Sequence, residues 1–137
     1  MALRDPTLPD EELTSAIIGA FYYVYNALHY GFLESIYSSA LEKVLRRTAH
    51  AVAREVRVPV WFEEQIIGYH RLDMLVNNKV VVEIKATERL ADAAERQLRS
   101  YLKATHLDLG LILHFGPKPV VHRVRQQSAR DRRAVGD

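Results

Sequence analysis

The sequence predicts a mixed α/β fold, in which helices flank a central mixed sheet in the order α-α-β-β-β-α-β. Three observations support this order. Two N-terminal segments place apolar residues at helical spacing, and three later segments alternate or run apolar between short polar turns. An amphipathic segment then precedes a short apolar run. A meander of three strands followed by a helical crossover is typical of a mixed sheet covered by helices.

The first two segments predict helices at about residues 11–28 and 32–48. Thr7 or Asp10 could cap the first helix, and Gly31 breaks the chain before the second. The second helix places these apolar residues on one face: Leu33, Ile36, Tyr37, Ala40, Leu41 and Val44.

The remaining elements follow from turn residues and apolar runs. A third helix is expected over 87–105, with Thr87 as its N-cap, and "PVVHRV" is a candidate edge strand. Four strands are expected, at about 52–62, 66–76, 79–86 and 109–115.

Composition excludes several classes of protein. The chain has no cysteine, which rules out disulfide frameworks and cysteine-based zinc sites and suits a reducing cytoplasm. It has no long apolar run, so no membrane span is expected. The acidic N-terminus with its two prolines is unlike a signal peptide, and we expect a cytoplasmic protein. The six histidines show no close zinc spacing.

Charge is distributed unevenly along the 137 residues. Residues 122–137 carry +3 and residues 1–121 carry −1. We therefore expect one domain over 1–121, followed by a basic, disordered tail over 122–137. The tail could touch phosphates, although a solvated tail is the commoner case. The near-neutral body is not an obvious surface for coating nucleic acid.

Two charges interrupt the most strand-like segment, "KVVVEIKA", which spans residues 79–86. Glu83 and Lys85 are two apart on a strand, so both side chains point to the same face. Burying an unpaired carboxylate costs several kcal/mol. Either the two residues form a solvated pair on an edge strand, or a nearby group such as a divalent cation compensates them.

Asp73, on the preceding strand, is the candidate third member of this cluster. A two-residue turn at Asn77 and Asn78 would set Asp73 opposite Val82, on the wrong face for Glu83. A three-residue loop over 77–79, or one bulge, would set Asp73 opposite Glu83. The cluster therefore requires an odd loop length or a bulge.

These residue types suit phosphodiester hydrolysis. Asp73, Glu83 and the Ile84 carbonyl would supply oxygen ligands for Mg²⁺ or Mn²⁺, and Lys85 could orient or deprotonate a water or stabilise developing negative charge. Glu34 and Gln97 lie at the margins of apolar helix faces. Each could look into a cleft or simply be a solvated margin residue.

The pattern D…E-x-K on adjacent strands resembles the PD-(D/E)XK, or restriction-endonuclease-like, superfamily. "GFLESIY" gives Gly31, Glu34 and Tyr37 the spacing of its GxxExxY branch, and "RQLRSYLKAT" resembles the helix that follows in that branch. The resemblance covers about residues 12–116, and it implies an αβββαβ core with an extra N-terminal helix. Leu72 stands where the superfamily's name has proline, and His114 stands where we expect the branch to have asparagine.

The resemblance implies roles by position. Asp73 and Glu83 would bind metal and Lys85 would be catalytic. Glu34 would assist metal binding and Gln97 would belong to the active site. The leading hypothesis is a Mg²⁺-dependent nuclease acting on DNA, with RNA less favoured. The alternatives are a catalytically silent module that binds nucleic acid or protein on the same fold, and hydrolysis of another phosphate compound. The aromatics of the first helix, mostly core, could also serve a protein partner or homodimer: Phe21, Tyr22, Tyr23 and Tyr25.

Overall fold

The computed structural model describes residues 10–126, which form three helices and one sheet of five strands. In chain order these are α1 (Glu11–Leu28), α2 (Glu34–Arg47), β1 (Val52–Phe62), β2 (Gln65–Val76), β3 (Val80–Lys85), α3 (Ala93–Thr105), β4 (Leu109–Phe115) and β5 (Pro119–Arg125). The predicted fold class and element order are confirmed, and the candidate edge strand is present as β5.

The sheet is mixed and follows the strand order β1-β2-β3-β4-β5. Only β3 and β4 run parallel, as a helical crossover requires, and the other neighbours are antiparallel. The strand with the two charges, β3, is therefore central. This position excludes the solvated edge pair considered above.

Helices cover both faces of the sheet, so there are two hydrophobic cores, one on each face. The side chains of β3 alternate between these two cores. Val80, Val82 and Ile84 pack with α1 and α2, whereas Val81 packs with α3. Glu83 and Lys85 share the parity of Val81, so their side chains point towards α3. The site therefore forms at the α3 face of the sheet.

The loop between β2 and β3 has the odd length that the cluster requires. Val76 pairs with Val80, which leaves residues 77–79 as a three-residue loop. Asn77 and Asn78 both adopt left-handed backbone conformations, with φ of 52° and 54°, which asparagine tolerates better than most residues. The register continues from Met74 opposite Val82 towards Asp73 opposite Glu83.

Two helix starts differ from prediction. The third helix begins at Ala93, so the predicted start at residue 87 is wrong. Thr87 is not its N-cap: its hydroxyl donates to the Arg89 carbonyl at 2.6 Å and holds a loop before α3. Helix α2 begins at Glu34, because the residue before it, Leu33, is still extended with ψ of 153°.

The predicted boundary between domain and tail falls inside a strand, because β5 continues to Arg125. Most of the predicted tail, residues 127–137, lies outside the described residues, as does Thr7. Within residues 10–126, no helix is long and apolar enough to cross a membrane.

Substitution of two glycines by alanine should change the free energy of unfolding in opposite directions. A Cβ at Gly110 on β4 would lie 2.7 Å from Leu98 Cδ1 on α3, so Gly110→Ala should lower the free energy of unfolding by about 2 kcal/mol. Gly19, inside α1, has nothing within 4 Å of such a Cβ, so Gly19→Ala should raise that free energy by about 0.5 kcal/mol. Urea unfolding of both variants checks the pair. Equal effects would contradict close packing of α3 on β4.

Candidate active site

The two predicted metal-binding acids lie where β2 and β3 part. The regular pairing of this ladder ends at Met74 opposite Val82. Beyond them, side chains take over: the Asp73 N–H donates to Glu83 Oε1 at 3.2 Å, and the Ile84 N–H donates to Asp73 Oδ2 at 2.8 Å. Each carboxylate is thus fixed by a backbone amide of the neighbouring strand, and the two acids are held side by side.

Glu83 is a buried carboxyl group, only 3% exposed. Burial raises its pKa to about 9, and the adjacent Asp73 charge adds to the rise. The hydrogen bond from the Asp73 backbone and the Lys85 charge lower this pKa, but they do not offset burial. In the metal-free site Glu83 is therefore protonated near neutral pH, because its charged form lacks sufficient compensation.

Lys85 and Gln97 meet across the cleft between β3 and α3. Lys85 Nζ donates to Gln97 Oε1 at 3.4 Å. Gln97 precedes the buried Leu98 on α3, so its side chain leaves the helix at the margin of the packed face. The contact fixes the ammonium beside the acid pair.

Glu34 reaches the same place from the first turn of α2. It borders a cleft of about 320 Å³ with Lys85, Thr87 and Gln97. It also borders a smaller cleft of about 120 Å³ with Asp73. Partial burial raises the pKa of Glu34, the Asp73 charge raises it further, and the Lys85 charge lowers it. The five predicted site side chains therefore lie around one cleft region.

The turn before α2 explains why Glu34 lies there. Gly31 has φ of 128°, a conformation that residues with a Cβ rarely adopt. The fully buried Tyr37 donates its hydroxyl to the His29 carbonyl and accepts from the Phe32 N–H. Its ring stacks on Phe115 at 4.2 Å between centroids. Gly31 and Tyr37 together fix the conformation of the turn, and the turn sets the position of Glu34, the first residue of α2.

Ile84 lies at the site through its backbone, because its side chain is buried in the core below α1 and α2. Its N–H bonds to Asp73, and the role predicted for its carbonyl stays a prediction.

Two further residues border the site and were not among the predicted site residues. Tyr101 is 7% exposed, and its pKa is raised by burial and then by the charges of Glu83 and Asp73. Its place four residues after Gln97, one turn along α3, was the signal available in the sequence. Glu55 borders the smaller cleft with Asp73 and has a left-handed φ of 53°. Nothing in the alternating pattern of β1 indicates that conformation.

His114 has a structural contact rather than a place in the acid cluster. It pairs in register with Lys85 on the neighbouring strand and is 5% exposed. Its Nε2 lies 2.7 Å from the Thr87 carbonyl oxygen. The residue thus ties the loop before α3 to the end of β4.

The donor set fits a small, hard divalent cation. Within residues 10–126 no group of three or more His, Cys, Asp or Glu side chains is arranged to hold a metal ion. In this part of the chain, the carboxylates of Asp73 and Glu83 lie side by side as a pair of oxygen donors. Mg²⁺ commonly takes one or two protein carboxylates and completes its shell with waters and substrate phosphates. A bound cation would stabilise the ionised form of Glu83, which burial and the Asp73 charge otherwise disfavour.

A mixed five-stranded sheet between helices, with Asp73 and the Glu83-x-Lys85 pair on adjacent strands, defines a restriction-endonuclease-like protein. The family model of the PD-(D/E)XK nuclease superfamily matches residues 11–126, and the chain belongs to that superfamily. No curated protein matches the chain.

Among solved structures, the chain is similar to the crystal structure of SSO0001, with 18% sequence identity and a TM-score of 0.55. The match covers 85% of this chain and 59% of that chain, so this chain spans somewhat more than half the length of SSO0001. At this identity the likeness concerns the fold alone.

Proposed function

We propose that the protein is a metal-dependent nuclease that hydrolyses phosphodiester bonds of DNA. One observation carries the proposal: a buried glutamate, Glu83, lies against a second carboxylate on the central strand of a nuclease-superfamily fold. Such a pair is costly to keep without a cation. The near-neutral charge of residues 1–121 would favour a catalytically silent binding module. Such a module, however, would need neither Asp73 nor Glu83.

The residues divide the chemistry among them. Asp73 and Glu83 would hold Mg²⁺ or Mn²⁺, and the bound ion would activate a water and stabilise charge on the phosphate. Lys85 places a positive charge beside the acids, where it can orient the attacking water and stabilise the developing negative charge. Gln97 positions the Lys85 ammonium through its Oε1. Glu34 is placed to accept a proton or to orient a water from the far side of the cleft.

We also propose that the chain belongs to the GxxExxY branch. The geometry gives each motif residue a reason: Gly31 allows the turn, Glu34 enters the cleft, and Tyr37 fixes the turn from below. The absence of cysteine supports a cytoplasmic location.

Cleavage assays with Mg²⁺ or Mn²⁺ on single-stranded, duplex and branched DNA test the nuclease proposal. We expect cleavage that Asp73→Asn reduces at least about 1000-fold, because the variant loses a charged oxygen ligand beside Glu83. Asp108→Asn is the matched control, since Asp108 is exposed at the other end of the sheet, just before β4. Metal-dependent cleavage that survives in Asp73→Asn would overturn the assignment. Absent cleavage with intact DNA binding would favour the silent module.

A further inference from the structure

The β1–β2 hairpin extends well beyond the sheet core. Within the described strands, β2 pairs with β3 only over Met74–Val76, whereas it pairs with β1 along nearly its whole length. We call residues 56–62 and 65–72 the ribbon. Its strands lie at the β1 end of the sheet, next to the site at Asp73.

One face of the ribbon is packed and the other is free. Val56, Val58 and Leu72 join the core below α3, and His70 lies edge-on to the ring of Tyr101. Residues of the opposite parity therefore point outward. This outer face carries Arg57, Tyr69 and Arg71, and the Tyr69 side chain is about half exposed.

Two arginines oppose each other on this outer face. Arg57 pairs directly with Arg71 across the ladder, although like charges in such positions destabilise a sheet. The Arg57 guanidinium lies 4.2 Å from the centroid of the Tyr69 ring, and Arg71 forms a 2.8 Å ion pair with Glu55. Both members of that ion pair are more than 60% exposed, so the pair is weak and Arg71 can exchange it for another anion.

The arginine face adjoins the site on the side of α2, not of α3. Glu55, the partner of Arg71, borders the smaller cleft together with Glu34 and Asp73. Arg71 is two residues from Asp73 on the same strand, a separation of about 7 Å along the chain. A phosphate bound by Arg71 and a phosphate in the cleft could therefore belong to the same DNA strand, one or two nucleotides apart.

Further along the ribbon the surface changes from basic to aromatic. Trp61 is 61% exposed and follows a register shift after Val60, and it borders a cleft with His70 and the end of α3. It therefore lies at the edge of the ribbon, beyond the arginine face. An exposed indole is a platform on which an unpaired base can stack. The turn that follows carries Glu63 and Glu64, which would repel phosphates and end the basic stretch.

We propose that the outer face of the ribbon holds a single strand of DNA next to the cleft, with Arg57 and Arg71 on its phosphates and Trp61, at the edge of the ribbon, on a base. The inference rests on the proposed nuclease function and adds the strand that its site receives. The opposed arginines carry it, because they place two positive charges on one exposed face beside the cleft, and the ion pair of Arg71 is weak enough to be exchanged for a phosphate.

The test measures binding of a fluorescein-labelled single-stranded DNA by anisotropy, with EDTA present to prevent cleavage. Each phosphate contact contributes about 0.7 to the slope of log affinity against log salt, so Arg57→Ala and Arg71→Ala should each weaken binding about fivefold at 0.1 M salt. The slope should fall by about 0.7 per variant. Glu55→Gln should strengthen binding, because it releases Arg71 and removes a negative charge.

Arg47→Ala is the matched control. Its guanidinium also lies over an exposed tyrosine, 5.6 Å from the Tyr23 ring, but at the far end of α2 from Glu34. Equal losses in Arg47→Ala and the ribbon variants would overturn the inference and indicate general attraction of the polyanion.

Trp61 supplies an independent measurement because it is the only tryptophan of the chain. Single-stranded DNA should quench its fluorescence in parallel with the anisotropy change, and unchanged fluorescence during binding would overturn the ribbon as the strand's path. If the unmodified chain binds no DNA, both this inference and the nucleic-acid substrate fail. If it binds and cleaves DNA while the arginine variants bind normally, only the ribbon is excluded.

Discussion

Glu83→Gln is expected to abolish Mg²⁺-dependent cleavage and, in the same molecule, to raise the free energy of unfolding of the metal-free protein. The expected gain is on the order of 2 kcal/mol at pH 8. Glutamine keeps the shape of the side chain and an oxygen that can accept the hydrogen bond from the Asp73 N–H. It removes the buried negative charge that a metal ligand must have.

The sign follows from the pKa of Glu83, which burial and the Asp73 charge raise from 4.5 to about 9 in the folded protein. Between these values the unfolded chain has released the Glu83 proton and the folded chain still binds it. The unfolded state then binds fewer protons, so this group makes stability fall as pH rises from about 4.5 to 9. Glutamine cannot ionise, so the variant should lack this part of the slope.

Urea unfolding between pH 5 and 9 in EDTA checks the prediction. Glu42→Gln is the control, because hydrogen bonds from Arg46 and then Arg54 lower the pKa of Glu42, the opposite direction from Glu83. Its removal should bring a small loss of stability at pH 8 rather than a gain. A Glu83→Gln variant that is less stable than the parent at pH 8 would contradict the raised pKa of Glu83 in the folded protein.

Tyr37→Ala, in the first turn of α2, should lower the free energy of unfolding by about 4 kcal/mol. The ring is fully buried and stacks on Phe115, and its hydroxyl bonds to two backbone groups of the turn. Tyr37→Phe keeps the stacking and leaves those two groups without the hydroxyl, so it should cost about 1 kcal/mol. Thermal or urea unfolding of both variants measures the difference.

Tyr37→Phe also tests whether the turn positions Glu34 for cleavage, separately from its effect on stability. Tyr37→Phe should slow cleavage more than its small stability loss suggests, because the loosened turn carries Glu34 at its end. Tyr23→Ala is the control, since Tyr23 is 60% exposed on α1 and its loss should change stability by about 0.5 kcal/mol or less. Full cleavage activity in folded Tyr37→Phe would show that the turn does not position Glu34.

Periodicity was enough to place most elements. Helix α1 and strand β1 begin and end at the predicted residues, because each has an unbroken pattern bounded by polar or turn residues. The start of α3 was wrong because Thr87 and Glu88 imitate a helix start, whereas in the fold Thr87 bonds to Arg89 and to His114. Such a tertiary contact leaves no trace in local spacing.

The site was predictable where it depends on strand parity and unpredictable where it depends on irregular backbone. Counting residues through the 77–79 loop sets Asp73 opposite Glu83, and the structure has that register. The left-handed conformation of Glu55 breaks the alternation of β1 without any glycine or proline to signal it. The pairing of Arg57 with Arg71 could not be predicted either, because it depends on the register of β1 against β2.

The three-residue loop after β2 also limits how this gene can change without losing its chemistry. Gain or loss of one codon in the loop would leave every side chain of the site in the sequence, yet Glu83 and Lys85 would turn to the opposite face of β3. A paralogue with such a single-codon change and no compensating bulge would still contain D…E-x-K but would not bring its acids together. Such a protein would be inactive although its motif is complete. Whether the loop has an odd or an even number of residues would distinguish it from an active relative.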